Sequence, residues 1–427
     1  MKLTRFKTKC RELRSIMRTE YGHIFRDEGV ALVLVLALLI YATVYSVAYD
    51  TQVLRNIPIG VVDLSRTHSS RALINIFDAA PNIEVAYTPV SMEQAREMFF
   101  DRKIYGIVYI PDDYERTLMR GERSVVGVYV DASYFLMYRQ TFSDVVSGVN
   151  TVGSEVEFSR LLAGGASLPQ AETISDPVSL RTTDLFNPYL GYGTFVMPSI
   201  IIIIIQQTML IGIGMIGGTW REFGLYRKLA LPGERRLSTI PIVLGKSLCY
   251  LSVYCVTGLY ILVVHYKMFH FPMNGSFGAV LGFMIPYALA CIMLAVAVST
   301  LFRYRENSIL LLLWTSIPML LLSGASVPRE AIPPALYAFG KIFPSSSGVE
   351  GFVRIQTAGA TLREVAPQVI TLWILAGVYF VLACLGVRRV IRIEERNAER
   401  PAGDSPCGCT AVSDAGTGSG TAGSVPA

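Results

Sequence analysis

Residues 189–220 read YLGYGTFVMPSIIIIIIQQTMLIGIGMIGGTW, a stretch without a single charged side chain. A helix needs about 20 residues to cross a hydrocarbon core of roughly 30 Å, so this run alone places part of the chain in a bilayer. Outward from it, charge-free apolar runs lie at Val30–Tyr49, Leu248–Val264, Phe277–Leu301, Ser308–Val327 and Val365–Val387. The whole chain of 427 residues is 52% hydrophobic and 17% charged, too apolar for an ordinary soluble protein of this size. The fold class expected is therefore an α-helical integral membrane protein with six transmembrane helices. Leu248–Val264 is the shortest run, and Lys246 at its edge is expected to send its ammonium to the headgroups while its stem stays in lipid. Val30–Tyr49 exceeds the apolar stretch of a signal peptide and no small-residue cleavage pattern follows it, so it is expected to be retained.

Cations near span ends resist translocation. Lys2, Arg5, Lys7, Lys9, Arg11, Arg14, Arg18 and Arg26 precede the first span, and Arg388, Arg389, Arg392, Arg396 and Arg400 follow the last. The predicted topology has both termini cytoplasmic and the long 51–188 segment outside. The net charge of +5 then reports orientation and calls for no nucleic-acid partner. None of the seven cysteines falls in the outside segment, which must fold without disulfides.

Residues 1–28 alternate cations with Leu3, Phe6, Leu13, Ile16 and Met17, as an amphipathic helix on the inner leaflet would, or a plain basic anchor. The 29–50 segment holds the first transmembrane helix. In 51–188, strands are predicted at 58–63, Asn82–Tyr87, Lys103–Ile110 and Ser124–Asp131, with helices at Thr67–Ala79 and Ser91–Phe100. That alternation indicates an inserted extracytoplasmic α/β domain. Ser91 with Gln94 fits a capping box. A helical stalk is expected from Ser133 to about Leu162 and a loop over Ala163–Asp184. Spans two to six occupy 189–388. The 389–427 segment is a cytoplasmic tail, expected to be disordered after about residue 400, where Gly, Ser, Thr, Ala and Pro dominate.

Catalytic signatures are missing: there is no H-E-x-x-H, no G-x-S-x-G and no pair of carboxylates within a span. Leu244-Gly245-Lys246-Ser247 looks like the end of a phosphate-binding loop, but Ile240 stands where its first glycine belongs. No catalytic residue, metal ligand or bound cofactor is expected; if ATP drives this protein, ATP and Mg are used by a separate subunit. Span interiors also lack the acidic groups common in ion-coupled carriers. His265 and His270, beside Tyr266 and Phe269, read as an interfacial aromatic belt. Gln206 and Gln207 are either interhelical packing groups or the polar lining of a substrate path, for which Trp314 is a further candidate.

Four segments carry a resemblance to a known family. Phe186-Asn187-Pro188 precedes a span bearing Pro198. Arg221-Glu222-Phe223-Gly224-Leu225, running on to Leu229 and Pro232, follows that span, with Leu225 where a threonine is usual. Gly245-Lys246 opens the third span. Ser323-Gly324, Pro328, Glu330, Pro333, Phe343-Pro344, Glu350-Gly351 and Arg354 lie between the last two spans. In their order and spacing, from Met1 to about Arg396, these resemble the permease subunits of type-2 ABC exporters, in particular those with a large domain between the first two spans. The resemblance implies a multi-pass protein of the bacterial cytoplasmic (inner) membrane that moves hydrophobic or amphipathic compounds outward. Its implied partners are a cytoplasmic ABC ATPase dimer and a second permease copy or similar permease, with room for a periplasmic adaptor protein. A coupling helix is expected at 219–231, where Trp220, Arg221, Glu222, Phe223, Gly224 and Arg227 would meet the ATPase. An outer re-entrant segment is expected at 326–356, with Gly324, Pro328, Pro333, Phe343, Pro344, Glu350 and Arg354 as gate residues. The alternative is a membrane-anchored receptor or scaffold whose outer domain binds a ligand or phage; six spans exceed what an anchor needs.

Overall fold

The computed structural model describes residues 2–49, 53–175, 183, 185–187, 191–226, 239–327 and 329–399. Arg227, Pro188, Leu229, Pro232, Pro328 and the tail beyond residue 399 lie outside them.

Among the described residues, five helices are long and apolar enough to cross a membrane: α2 (Glu28–Ala48), α8 (Tyr192–Glu222), α9 (Thr239–Met268), α10 (Phe277–Ser299) and α14, a span over Ala366–Asn397 within Ala366–Glu399. The sixth expected span is the shorter helix α11 (Arg305–Leu322), whose first turn carries Arg305 and Glu306. α8 is the centre of the bundle: its buried face runs from Gly193 to Trp220, and Pro198 sits inside it. Small residues set how closely its neighbours approach. A Cβ on Gly212 would stand 2.5 Å from the Leu34 side chain, and one on Gly217 2.5 Å from Ser299 Cβ. Such contacts hold membrane helices together where lipid supplies no hydrophobic drive.

Among the described residues, two spans contain a widened turn, Leu32–Leu36 in α2 and Ile261–His265 in α9. The second turns His265 inward, where it is fully buried and its Nε2 lies 3.1 Å from Ser46 Oγ of α2. The aromatic belt expected there is thus, at His265, an internal link between two spans, while His270 is exposed.

The third span begins at Thr239, well before Leu248. Its early turns are covered by α1 (Lys2–Arg26). Ile16, Glu20 and Ile24 form one buried stripe of α1, and a Cβ on Gly245 would lie 2.8 Å from Ile16 Cγ2. An α1 lying only on a leaflet surface would not bury this stripe; here protein covers it.

Between α2 and α8 lies a four-stranded sheet of β1 (Ile57–Asp63), β2 (Ile83–Tyr87), β3 (Gly106–Ile110) and β4 (Gly127–Val130), in the order β2-β1-β3-β4. β1 pairs in parallel with β2 and β3, and β3 pairs antiparallel with β4. β1 reads as an unbroken apolar run because both of its faces are covered. Ile57, Ile59 and Val61 pack with Leu73, Phe77 and Val145 on one side, and Val62 packs with Ala95 and Ile104 on the other. The crossover helices are α3 (His68–Asp78) and α4 (Met92–Phe100). At α4 the Ser91 hydroxyl accepts from Gln94 N, but the Gln94 side chain accepts from Val90 N, so the reciprocal arm reaches one residue beyond the cap. The complete capping box is at α3, between Thr67 and Ser70. A short helix, α5 (Tyr114–Met119), follows β3, and burial pushes the Tyr114 phenol above its ordinary value.

The long helix α6 (Phe135–Ala163) is tied to the sheet through Asp144, whose carboxylate accepts from Asn82 N at 2.9 Å and Asn82 Nδ2 at 3.0 Å. The loop expected over Ala163–Asp184 instead contains α7 (Leu168–Ser175), which buries Ala171. Between α11 and α14 come a 3₁₀ turn at Arg329–Ala331, then α12 (Pro334–Gly340) and α13 (Pro344–Gln356). Prolines open both helices, where a missing N–H costs nothing.

Candidate functional site

The end of the bundle remote from the sheet is organised around Trp220, in the last turns of α8. Its indole is buried, with the His23 ring of α1 at 5.2 Å and the Tyr226 ring at 5.4 Å between centroids. The Lys246 ammonium of α9 stands 3.6 Å from the indole centroid. That cation is also 2.9 Å from Glu20 Oε1, and the two side chains are 3% and 0% exposed. The Tyr250 hydroxyl donates to the same carboxylate oxygen. A charge taken from water must be paired and hydrogen-bonded, and here a carboxylate and aromatic faces replace the solvent of the lysine while a phenol hydrogen-bonds that carboxylate. Lys246 therefore does not reach toward headgroups as its position at a span edge implied. Tyr226 lies near the same ammonium, 5.4 Å from ring centroid to Nζ.

The neighbouring turn is fixed to this cluster. Arg221 Nη1 donates to Thr300 O at 2.8 Å, and Arg305 makes two bonds to Asp27, at 2.7 and 2.9 Å. Asp27 also caps α2 by accepting from Val30 N. A Cβ on Gly218 would be 2.8 Å from Tyr304 O and 2.9 Å from Arg305 Cα, so only glycine lets α8 pass this turn.

The expected coupling helix over 219–231 is not one helix in its described part. α8 continues straight through Trp220, Arg221 and Glu222; Phe223 caps it, and Gly224 adopts φ +60° before helical backbone resumes at Leu225 and Tyr226. The physical cause is the left-handed glycine, which ends a helix by satisfying its last carbonyls. Gly224 N donates to Arg221 O. The result is a split presentation. Trp220 and Tyr226 are buried, whereas Glu222 and Phe223 are exposed, the latter by 68%.

In mid-bundle Gln206 is fully buried. Its Oε1 accepts from Ser345 N at 2.7 Å, and its Nε2 donates to Ser345 Oγ at 3.2 Å and Met319 Sδ at 3.4 Å. Ser345 lies in the first turn of α13, so Gln206 satisfies one of that helix's unpaired N–H groups. Gln207 also donates to Met319 Sδ, at 3.3 Å, and its Oε1 has no partner among the described residues. Trp314 stands 80% exposed on α11, beside exposed Leu310, Leu313 and Ile317. The three candidate path residues do not converge on one cavity.

At the sheet end, Gly324, Glu350 and Arg354 do come together, around a pocket of about 270 Å³ that Arg329, Tyr337 and Lys341 also line. Arg329 pairs with Glu350, whose Oε1 also accepts from Gln368 Nε2 at 2.8 Å. Gly324 takes φ +81° at the end of α11. Pro333 and Phe343 precede α12 and α13, Pro344 is buried in the first turn of α13, and the Phe343 ring packs edge-on against Phe339 at 5.6 Å.

Sequence reasoning missed Glu20 and the two cations Arg329 and Lys341 that flank Tyr337 beside the expected Arg354. One signal for Glu20 was present: an acid between Ile16 and Ile24 at four-residue spacing sits in the middle of an apolar stripe.

The family model described as "ABC-2 family transporter protein" matches residues 29–385. The inner membrane transport permease YhhJ of Escherichia coli is 26% identical over 397 residues, covering 90% of this chain and 97% of that protein, and the protein of the same name in Shigella flexneri matches equally. The probable multidrug ABC transporter permease YbhR of Escherichia coli is 22% identical over 319 residues, covering 75% of this chain and 82% of its own length.

Proposed function

The chain belongs to the ABC-2 family of transporter proteins, and on that premise we propose that it is the membrane subunit of an ATP-driven exporter for hydrophobic or amphipathic compounds. In this reading it sits in the bacterial inner membrane with both termini and the Trp220 end of the bundle in the cytoplasm. α11 serves as the sixth span, and the sheet domain lies outside. Two cytoplasmic ATPases bind ATP and Mg, and a second permease copy completes the path.

The observation that carries the proposal is the locked end of α8. Trp220 is held by Lys246 of α9 and His23 of α1, and Arg221 is held by the carbonyl of Thr300, while the adjoining Glu222 and Phe223 remain exposed. A force applied at Glu222 and Phe223 is thereby transmitted to three helices as one rigid unit, as a coupling element requires. The hydrocarbon-rich span surfaces, where among the described residues the one fully buried ion pair, Lys246–Glu20, lies at the end remote from the sheet, suit cargo without a bare charge in the bilayer.

The test is co-purification. With the ATPase co-expressed, Glu222→Lys is expected to abolish ATPase capture while leaving membrane insertion and thermal stability unchanged, because the exposed carboxylate has no internal role. Undiminished capture and transport by this variant would remove Glu222 from the interface and the coupling reading with it.

A further inference from the structure

We propose that the pocket between the first turns of α8, the α11–α12 connection and α13 binds the anionic head of an amphipathic molecule, with its apolar part lying across Phe195. The pocket holds about 270 Å³ and is lined by three cations, Arg329, Lys341 and Arg354, against one carboxylate, Glu350. Glu350 is already committed to Arg329 and to Gln368. Lys341 and Arg354 take part in no ion pair among the described residues. Two of the cations share one ring: the Arg329 guanidinium carbon is 4.6 Å from the Tyr337 centroid and Lys341 Nζ is 4.8 Å from it. Three cations against one carboxylate leave a positive excess that a bound anion relieves. The Tyr337 hydroxyl is buried without a hydrogen-bond partner among the described residues, so a donor is still available.

The other wall is apolar. Phe195, 62% exposed, lines this pocket and also a second cavity of about 530 Å³ that includes Tyr49 and Leu136. A cationic recess beside exposed aromatic surface at the end of a span matches a phosphate-type head carried on a hydrocarbon tail. Free phosphate would leave the apolar wall unused, and a zwitterionic head would bring its own cation against three others. In making this amphiphile the transported compound, the inference rests on the permease reading above; the binding site itself does not.

The purified full-length chain in detergent, with no ATPase present, is titrated with phosphatidylglycerol, phosphatidylcholine and inorganic phosphate. Phosphatidylglycerol is expected to bind saturably, and the double variant Lys341→Gln/Arg354→Gln to bind it about tenfold more weakly, as loss of charge-assisted contacts implies. Phosphatidylcholine should bind weakly and equally to both proteins. Lys341→Arg, which keeps the charge, should retain binding, and this separates charge from misfolding. Equal phosphatidylglycerol affinity in the parent and double variant overturns the site, and full displacement of the lipid by millimolar inorganic phosphate overturns the amphiphile. Failure here leaves ATPase capture untouched, so it is distinguishable from failure of the permease reading.

Discussion

Lys246 and Glu20, 226 residues apart in the chain, meet at 2.9 Å with essentially no exposure of either side chain. Breaking such a pair by removing one partner leaves a buried charge and typically costs about 3–5 kcal/mol. Glu20→Gln or Lys246→Met alone is therefore expected to lower the thermal midpoint strongly and to reduce the amount of protein in the membrane. The double variant should recover much of the loss, since no uncompensated charge remains. A double-mutant cycle on purified protein checks this, and additive losses would show the two residues to be independent.

Gln206 is expected to act in packing. Gln206→Leu leaves Ser345 N without its acceptor, at a cost of about 1–3 kcal/mol for an unsatisfied buried donor. The expected result is a lower unfolding temperature with unchanged cargo preference. A shift in cargo preference at full stability would place this residue on the path after all.

Gly224 needs its left-handed φ of +60° to end α8. Gly224→Ala should destabilise by roughly 1 kcal/mol, and Gly224→Asn by less, because asparagine tolerates that region. The rank order Gly, Asn, Ala in thermal midpoint is the readout; equal stability of all three would mean the turn relaxes.

The orientation can be read by thiol labelling. Ser124 is a poor site because its hydroxyl is buried, whereas Arg123 and Glu222 are exposed. In a cysteine-free background, Arg123→Cys is expected to react with an impermeant reagent in spheroplasts, and Glu222→Cys only after permeabilisation. The reverse pattern inverts the topology and excludes Glu222 from an ATPase contact.

Packing at α13 gives a further expectation. A Cβ on Gly351 would lie 2.3 Å from the Phe283 ring and one on Gly348 2.4 Å from Tyr287. Gly351→Ala should cost about 1–3 kcal/mol by overpacking, measured as a fall in thermal midpoint; an unchanged midpoint would show that Phe283 can move aside.

The sequence places most of the spans and shows that strands and helices alternate between the first two, because bilayer thickness and strand or helix periodicity act on neighbouring residues. It also marked the segment after α8 and the Pro-rich connection before the last span, through motifs local to each. It erred where a partner lies far along the chain. The third span was read from Leu248 because a lysine looks like a boundary, and only α1 folding against α9 supplies the carboxylate that lets Lys246 be buried. His265 looked interfacial until a widened turn aimed it at Ser46. For Gln206 the sequence left packing and path lining both open, and in the structure the start of α13 meets its side chain. Tertiary structure alone decided these points, since the cost of burying a polar group depends on which distant group meets it, and no local pattern encodes that meeting.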